Sequence, residues 1–358
     1  MSKKRIAILY GGRSVEHGVS INSARNIFQY IDKNLFEPVP IGISLAGVWY
    51  KTDAITKEIE KGEELSLRLN PGSPSFTSRS GSFDVDIVFP VLHGTDGEDG
   101  SIQGLLKAMD IPMIGTGVAG SAISMSKLVA KRLLKEAGLP VNKFLFSYFS
   151  DKKQFSFEEI ENELGLPFMV KAANLGSSVG VSKVKSKEDF EKAVTDSFHF
   201  DDCILFEEFI EGREIECAIL GNDPVQASLP GEIIISGNYD FYTFDAKYVD
   251  GAAVSIDVPA KMDTAIAEKI RTVSIQAYQA LGCEDFSRVD LFLTKRGDVF
   301  VNEINTIPGF TNSSMFPMMW KERGISFSDL ITRLAELADT RYKKSKRVAR
   351  DFQSALNF

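Results

Sequence analysis

The first third of the chain switches between short apolar runs and helix-like stretches, and this alternation limits the available folds more than any other feature. Residues 6–10 form an unbroken apolar run that Gly11-Gly12 ends, and a helix-like stretch follows at 20–31. Residues 39–43, 85–90 and 112–114 repeat the short apolar signature. Strands that alternate with helices pack as an α/β layer around a parallel sheet. Ser, Gly and Pro crowd residues 70–82, which read as a surface loop.

Beyond Ser126 the pattern changes. Val129, Leu133 and Ala137 recur at helical spacing until Gly138 and Pro140 stop them. Residues 167–171 read as a strand that runs into a glycine/serine loop at 174–180, and 203–209 read as another strand. From Glu211 onward, 215–220 and 232–235 are strand-like. Residues 236–253 are polar and aromatic with few core positions, and loops of that length are functional or disordered. Ile266, Ile270, Val273, Ala277 and Leu281 mark one apolar helix face, closed by Gly282. The basic tail 341–350 reads as a solvated helix end.

At roughly 100–200 residues per domain, the 358-residue chain holds two or three domains. Its 41 basic and 49 acidic side chains leave a net charge of −8, which argues against a nucleic-acid partner. A few local lysines can still collect an anionic substrate. Cys203, Cys217 and Cys283 form no CxxC pair and stand apart from the three histidines, so zinc is not indicated and buried thiols in a reducing compartment are. The apolar run after Met1 is too short for a signal segment, and no run reaches membrane-spanning length. A cytoplasmic protein without a membrane partner is expected.

Residues 289–293 and 299–304 flank Lys295-Arg296-Gly297-Asp298, a plausible tight turn. A hairpin symmetric about Arg296-Gly297 sets Asp290 opposite Glu303, with Asn305 on the same face two residues on. Like charges opposed on a sheet repel unless a cation sits between them, and an all-oxygen set suits Mg²⁺ or Mn²⁺. A solvent-facing polar strand face has the same spacing.

No G-x-x-x-x-G-K-[ST] occurs, which excludes a P-loop. Residues 115–120 match G-x-G-x-x-G, a weak dinucleotide signal in mid-chain. Gly176-Ser177-Ser178-Val179-Gly180 has the small residues that let backbone N–H groups close over phosphates, and Lys171 ends the strand before it. A plain turn fits the same glycines. Residues 92–100 form a polar, glycine-rich loop after a strand, and its His93 is either a ligand-site or a structural histidine.

Gly11-Gly12-Arg13-Ser14-Val15-Glu16-His17-Gly18-Val19-Ser20, residues 93–100 and 174–180, Phe241-Tyr242-Thr243-Phe244-Asp245-Ala246-Lys247-Tyr248, and residues 302–317 together resemble the D-alanine–D-alanine ligases of the ATP-grasp superfamily. The resemblance implies a three-domain ATP-grasp α/β fold. An N-terminal substrate domain with a parallel sheet spans 1–115, a central domain 116–210, and a catalytic domain 211–358 carries a lid loop at 236–253. It implies ATP-driven joining of two D-alanines through a D-alanyl phosphate, for peptidoglycan precursors, with two Mg²⁺ or Mn²⁺ ions and a homodimeric assembly.

The resemblance also implies roles. Asp290, Glu303 and Asn305 match metal ligands, and Lys127 and Lys171 match ATP-phosphate lysines. Glu207 and Glu214 match acceptors for the adenine amine and the ribose, Phe209 and Ile210 match the hinge facing adenine, and Phe292 matches a wall of that slot. Glu16 matches the carboxylate for the first ammonium, with Ser177 linked to it and to Tyr248. Lys247 matches a γ-phosphate lysine, and His93 a histidine near the first carboxylate. Arg288 and the Gly309 N–H match oxyanion stabilisers, and Ser314 with the Met315 N–H match binders of the second carboxylate. Ala172, Ser126 and Gly18 depart from common family residues at positions outside this set. The rivals are D-serine or D-lactate as second substrate, a non-catalytic nucleotide-binding module, and a dehydrogenase resting on 115–120 alone. Tyr248 favours the dipeptide over the lactate product.

Overall fold

A computed structural model describes residues 3–71, 73–151, 154–177, 179–235 and 254–349. The expected lid, with Lys247 and Tyr248, lies outside the described residues.

Lys4–Gly11 is the central strand of the first sheet, parallel to Phe36–Ile43 on one side and Ile87–Pro90 on the other. Trp49–Lys51 and Glu63–Glu64 extend the sheet antiparallel. Helix His17–Tyr30 packs on Lys4–Gly11. The unbroken apolar run is explained by burial on both faces. Ile6, Ile8 and Tyr10 join one core cluster, Ala7 and Leu9 another. Burying such side chains stabilises by about 1.5–3 kcal/mol each. The first cluster also contains Phe310, Phe316, Trp320 and Leu334, so the two ends of the chain share a core.

Two sequence expectations need correction here. Residues 112–114 form no strand, only an isolated bridge between Val88 and Met113. Residues 70–82 are more than a loop: Ser75–Ser78 and Gly81–Phe83 build a small antiparallel sheet with Ser66–Arg68. Its anchor is Phe76, fully buried with ring centroids 5.5 Å from Phe83 and 6.5 Å from Trp49. One aromatic among serines and glycines carries too little periodicity to show as a strand.

The second sheet has the antiparallel order Val181–Val184, Phe168–Ala172, Cys203–Glu208, Phe144–Tyr148. Phe157–Leu164 and Lys187–Phe200 contribute to the core beneath it. Helix Lys127–Glu136 buries Leu128, Lys131 and Leu134, whereas Val129 is exposed. The inward face is therefore offset from the stripe read through Val129, and it includes a lysine.

The third sheet runs Val254–Asp257, Gly231–Ile235, Gly212–Leu220, Phe286–Thr294, Val299–Asn305. Helix Thr264–Ala280 buries Ile270, Val273 and Ala277 and ends at Gly282, as its periodicity predicts. Along Phe286–Thr294, Val289, Leu291 and Leu293 enter the core while Arg288, Asp290 and Phe292 face away from it. The hairpin is built differently from the symmetric reading. Thr294 N–H donates to Asp298 and Gly297 N–H to Thr294, which leaves a three-residue loop with Gly297 at φ 82°. The register past this turn is Leu293↔Val299 and Leu291↔Val301. A bulge then restores Asp290↔Glu303. The expected pairing holds because a bulge compensates for the longer turn.

Residues 115–120 are not a dinucleotide loop. Gly115 N–H donates to Asp285 (2.9 Å) and Gly117 N–H to Glu284 (3.1 Å), and a Cβ on Gly120 would lie 2.3 Å from the Gly282 carbonyl. These glycines serve close packing, which removes the basis of the dehydrogenase reading. Arg341 is not solvated either: it donates to Asp285, Glu284 and two carbonyls. The cysteines are buried and form no disulfide, and burial pushes the Cys203 and Cys217 thiols up to about 11 and Cys283 to about 12. Among the described residues no helix is long and apolar enough to cross a membrane.

Candidate active site

The second and third sheets face each other across a cavity of about 450 Å³. Lys171, at the end of Phe168–Ala172, pairs with Glu207 at 2.8 Å and donates to Asn302 at 3.3 Å. Lys131 lies 3.3 Å from Glu207 and donates to Asn142. Burial alone would raise the Glu207 carboxyl, but Lys131 and Lys171 outweigh it and hold it at about 2. Burial pushes Lys131 down despite Glu207, whereas for Lys171 the carboxylates of Glu207, Glu303 and Glu214 overcome burial and the net shift is up. Among the described residues Glu207 Oε1 accepts no well-formed hydrogen bond beside its 3.3 Å ion pair with Lys131. A buried carboxylate oxygen in that state is an acceptor for an N–H of a bound molecule.

Phe209, Ile210, Glu214 and Phe292 line the same cavity, and Glu214 pairs across the strands with Phe292. Phe292 is thus a cavity wall, not a core residue. An apolar slot with one acceptor at its end and two lysines beyond suits a nucleotide.

At the other end stands the acidic pair. Arg288 grips Asp290 with two bonds of 2.7 Å and lies 3.0 Å from Glu216. Lys127 lies 3.3 Å from Glu303, and Asn305 Nδ2 donates to Asp290 at 3.0 Å. Burial works against the Arg288 charge, but Asp290 and Glu216 outweigh it and keep the guanidinium protonated. The donor set for a metal fits a hard cation: two opposed carboxylates, plus the Asn305 amide oxygen that its bond to Asp290 leaves free. Among the described residues no group of three or more His, Cys, Asp or Glu gathers as a metal site, so such an ion would need oxygens from phosphate or water as well.

The remaining expected residues among those described are not part of the cavity lining. Glu16 precedes helix His17–Tyr30 and accepts a short hydrogen bond from Ser177. Ser177 sits at φ 52°, a left-handed conformation unusual for serine. Gly176 lines the cavity and lies against Glu16, so the Glu16–Ser177 contact closes the cavity's edge. Gly94 stands at φ 74°, where a side chain is strained, and a Cβ there would come within 2.5 Å of Glu16 Oε2 and displace that carboxylate. His93 is buried and neutral, because burial lowers its pKa. Both its ring nitrogens are engaged, Nδ1 to the Ile307 carbonyl (2.8 Å) and Nε2 to Ser23 (3.0 Å). Ser314 is the N-cap of Met315–Glu322, a helix start suited to a carboxylate. Its hydroxyl accepts from Thr311 N–H at 3.0 Å, and a side chain on Gly309 would approach it to 3.1 Å.

Two facing antiparallel sheets that enclose a lysine- and carboxylate-lined slot, beside a parallel-sheet domain, define an ATP-grasp enzyme. The D-ala D-ala ligase N-terminus family model matches residues 5–116, and the D-ala D-ala ligase C-terminus model matches 133–336. D-alanine–D-alanine ligase A of Escherichia coli (strain K12) is 45% identical over 356 residues, 96% of this chain and 97% of the relative. The D-alanine–D-alanine ligase of Oceanobacillus iheyensis is 44% identical, covering 97% and 98%. Among solved structures, the D-alanine-D-alanine ligase from Coxiella burnetii superposes with a TM-score of 0.86 at 34% identity, covering 97% of each chain. A D-Ala:D-Ser ligase from Enterococcus faecalis gives 0.85 at 35%, covering 94% of this chain and all of that one. The chain belongs to the D-alanine–D-alanine ligase family, whose members are ATP-dependent ligases.

Sequence reasoning missed four residues at the site. Lys131 is one helical turn from Lys127, a signal that was available. Glu216 shares a strand face with Glu214 at a spacing of two and meets Arg288. Asn142 and Glu98 carry no local pattern. Burial, then the Glu16 carboxylate, push the Glu98 carboxyl up to about 8.

Proposed function

We propose that this enzyme joins two D-alanines to D-alanyl-D-alanine through a D-alanyl phosphate, in the cytoplasm, as a step toward peptidoglycan precursors. The observation that carries the reading is the one cavity in which Lys127, Lys171, Arg288, Asp290 and Glu303 converge next to a slot lined by Phe209, Ile210 and Phe292. We assign substrate binding to residues 1–115, and ATP clasping to 116–210 and 211–358, with the chain acting as a homodimer.

Glu16 holds the first D-alanine's ammonium. Glu207 and Glu214 take the adenine amine and the ribose, and Lys127 and Lys171 take the phosphates. Asp290, Glu303 and Asn305 are the residues that would hold Mg²⁺ or Mn²⁺. A bound ion of that kind supplies charge neutralisation for phosphoryl transfer. The first carboxylate attacks the γ-phosphorus, ADP departs, and an acyl phosphate forms. The second D-alanine's amine, having lost a proton, attacks the acyl carbon. Arg288 and the Gly309 N–H stabilise the oxyanion, each such donor contributing about 3 kcal/mol. The C–O bond to phosphate then breaks, the nitrogen's extra proton passes to the departing phosphate, and the amide remains. Ser314 and the Met315 N–H orient the second carboxylate.

The test is phosphate release from ATP and Mg²⁺ with D-alanine, L-alanine, D-serine and D-lactate, singly and paired with D-alanine. Release with D-alanine alone, and dipeptide by mass spectrometry, is expected. Release only in a pair with D-serine or D-lactate moves the product to that of the D-Ala:D-Ser type or a depsipeptide. No release with any pair, despite ATP binding, leaves a nucleotide-binding module.

A further inference from the structure

Residues 306–310 carry Gly309, yet what holds this segment comes from the other end of the chain. Both backbone groups of Ile307 are taken by side chains of the 93–98 loop. Its N–H donates to Glu98 Oε1 at 2.9 Å, and its carbonyl accepts from His93 Nδ1 at 2.8 Å. The other Glu98 oxygen accepts from Gly94 N–H at 2.9 Å, which ties the loop to itself. Three residues on, Phe310 N–H donates to Ser23 at 3.2 Å, and Ser23 in turn meets His93 Nε2. Glu98 is not among the residues lining the nucleotide cavity.

We infer that Glu98 is a positioning residue whose carboxyl group clamps the Ile307 amide and thereby sets the Gly309 N–H for the second step of the reaction. The inference rests on the ligase reading for its kinetic consequence, but the clamp itself does not. A carboxyl group, ionised or protonated, has an oxygen to offer one N–H from each segment at once, the carbonyl oxygen and a hydroxyl lone pair serving in the protonated form; an amide in its place offers one acceptor oxygen. A loop displaced by about an ångström at a reacting centre costs on the order of a hundredfold in rate. The loss falls on amine attack, because, among the described residues, those assigned to ATP and to the first ammonium make no hydrogen bond to Glu98.

The test compares the full-length wild type with Glu98→Ala and Glu98→Gln. Hydrogen exchange at the Ile307 amide, without substrates, is expected to accelerate roughly tenfold or more in Glu98→Ala while strand amides in Lys4–Gly11 keep their protection. Dipeptide formation is expected to fall roughly ten- to a hundredfold. The KM for ATP stays unchanged, as does D-alanine-dependent scrambling of oxygen label between the bridge and non-bridge positions of ATP, which reports acyl phosphate formation. Glu98→Gln should recover part of the dipeptide rate. If Glu98→Ala does not fold, the same comparison in Glu98→Gln decides. Unchanged Ile307 exchange overturns the clamp. So does a loss of scrambling and ATP affinity in step with dipeptide. A wild type that makes no dipeptide overturns the ligase reading, and Ile307 exchange then still decides whether Glu98 holds that loop.

Discussion

Glu207 is 1% exposed and stands between two lysines, so its charge is sustained by neighbours, not by water. Its folded pKa of about 2 lies below the ordinary 4.5, which means that ionisation favours the folded state. That contribution is complete above 4.5 and is lost as pH falls from there toward 2. Glu207→Gln removes the counter-charge of Lys131 and Lys171 and should destabilise by about 3 kcal/mol at neutral pH. The gap between wild type and variant in urea unfolding should close as pH is lowered through that window. A gap of constant size would refute the pairing. The resemblance pointed to Glu207 and Lys171. It did not reach Lys131, because the helix was read through its apolar residues and a buried lysine looks in sequence like any solvated one. Only its partner reveals which way it points.

The acidic hairpin shows how far an element can be read and where reading stops. Strand spacing set Asp290 opposite Glu303, and the structure agrees; the same two-residue repeat, a property of the strand itself, also puts Arg288 and Phe292 on the face of Asp290. The turn was less legible: Lys295-Arg296-Gly297-Asp298 fits either a two- or a three-residue loop, and only the pairing beyond it decides. A bulge beside Asn302 cannot be seen in sequence at all, yet without it Glu303 would miss Asp290. Gly297 sustains this geometry at φ 82°, and a Cβ there would meet Ile266 Cδ1 at 3.2 Å. Gly297→Ala should therefore lower stability by about 1 kcal/mol. The urea midpoint should fall with an unchanged slope, and the ligase rate should be preserved because the turn lies at the far end of the strands from Arg288. A variant as stable as wild type would mean that the left-handed turn carries no strain.

At the scale of the whole molecule, one arginine joins segments that the sequence keeps far apart. Arg341 donates to the carbonyls of Met113 (2.9 Å) and Gly115 (2.7 Å), to Glu284 (3.0 Å) and to both oxygens of Asp285. Asp285 is fully buried, stands at φ 62°, and also accepts from Asn222 and Gly115 immediately before the strand that carries Arg288 and Asp290. A basic tail hides such a residue, because Lys343, Lys344 and Arg347 beside it are exposed. Helical spacing shows it: Leu334, Ala338 and Arg341 follow i, i+4 and i+7 on the inward face of Phe327–Ser345. Arg341→Met keeps the length of the side chain but leaves the Asp285 carboxylate without its cation, which should cost about 3 kcal/mol. Asp285→Asn keeps the side chain's shape and the acceptor for Gly115, and in the Arg341→Met background it removes the stranded charge. The double variant should then be more stable than the sum of the single losses predicts, with a coupling of about 1–3 kcal/mol in a urea unfolding cycle. Additive losses would show that Arg341 holds the segments through its bonds to the two carbonyls and Glu284, with no contribution from the buried Asp285 charge at the head of the catalytic strand.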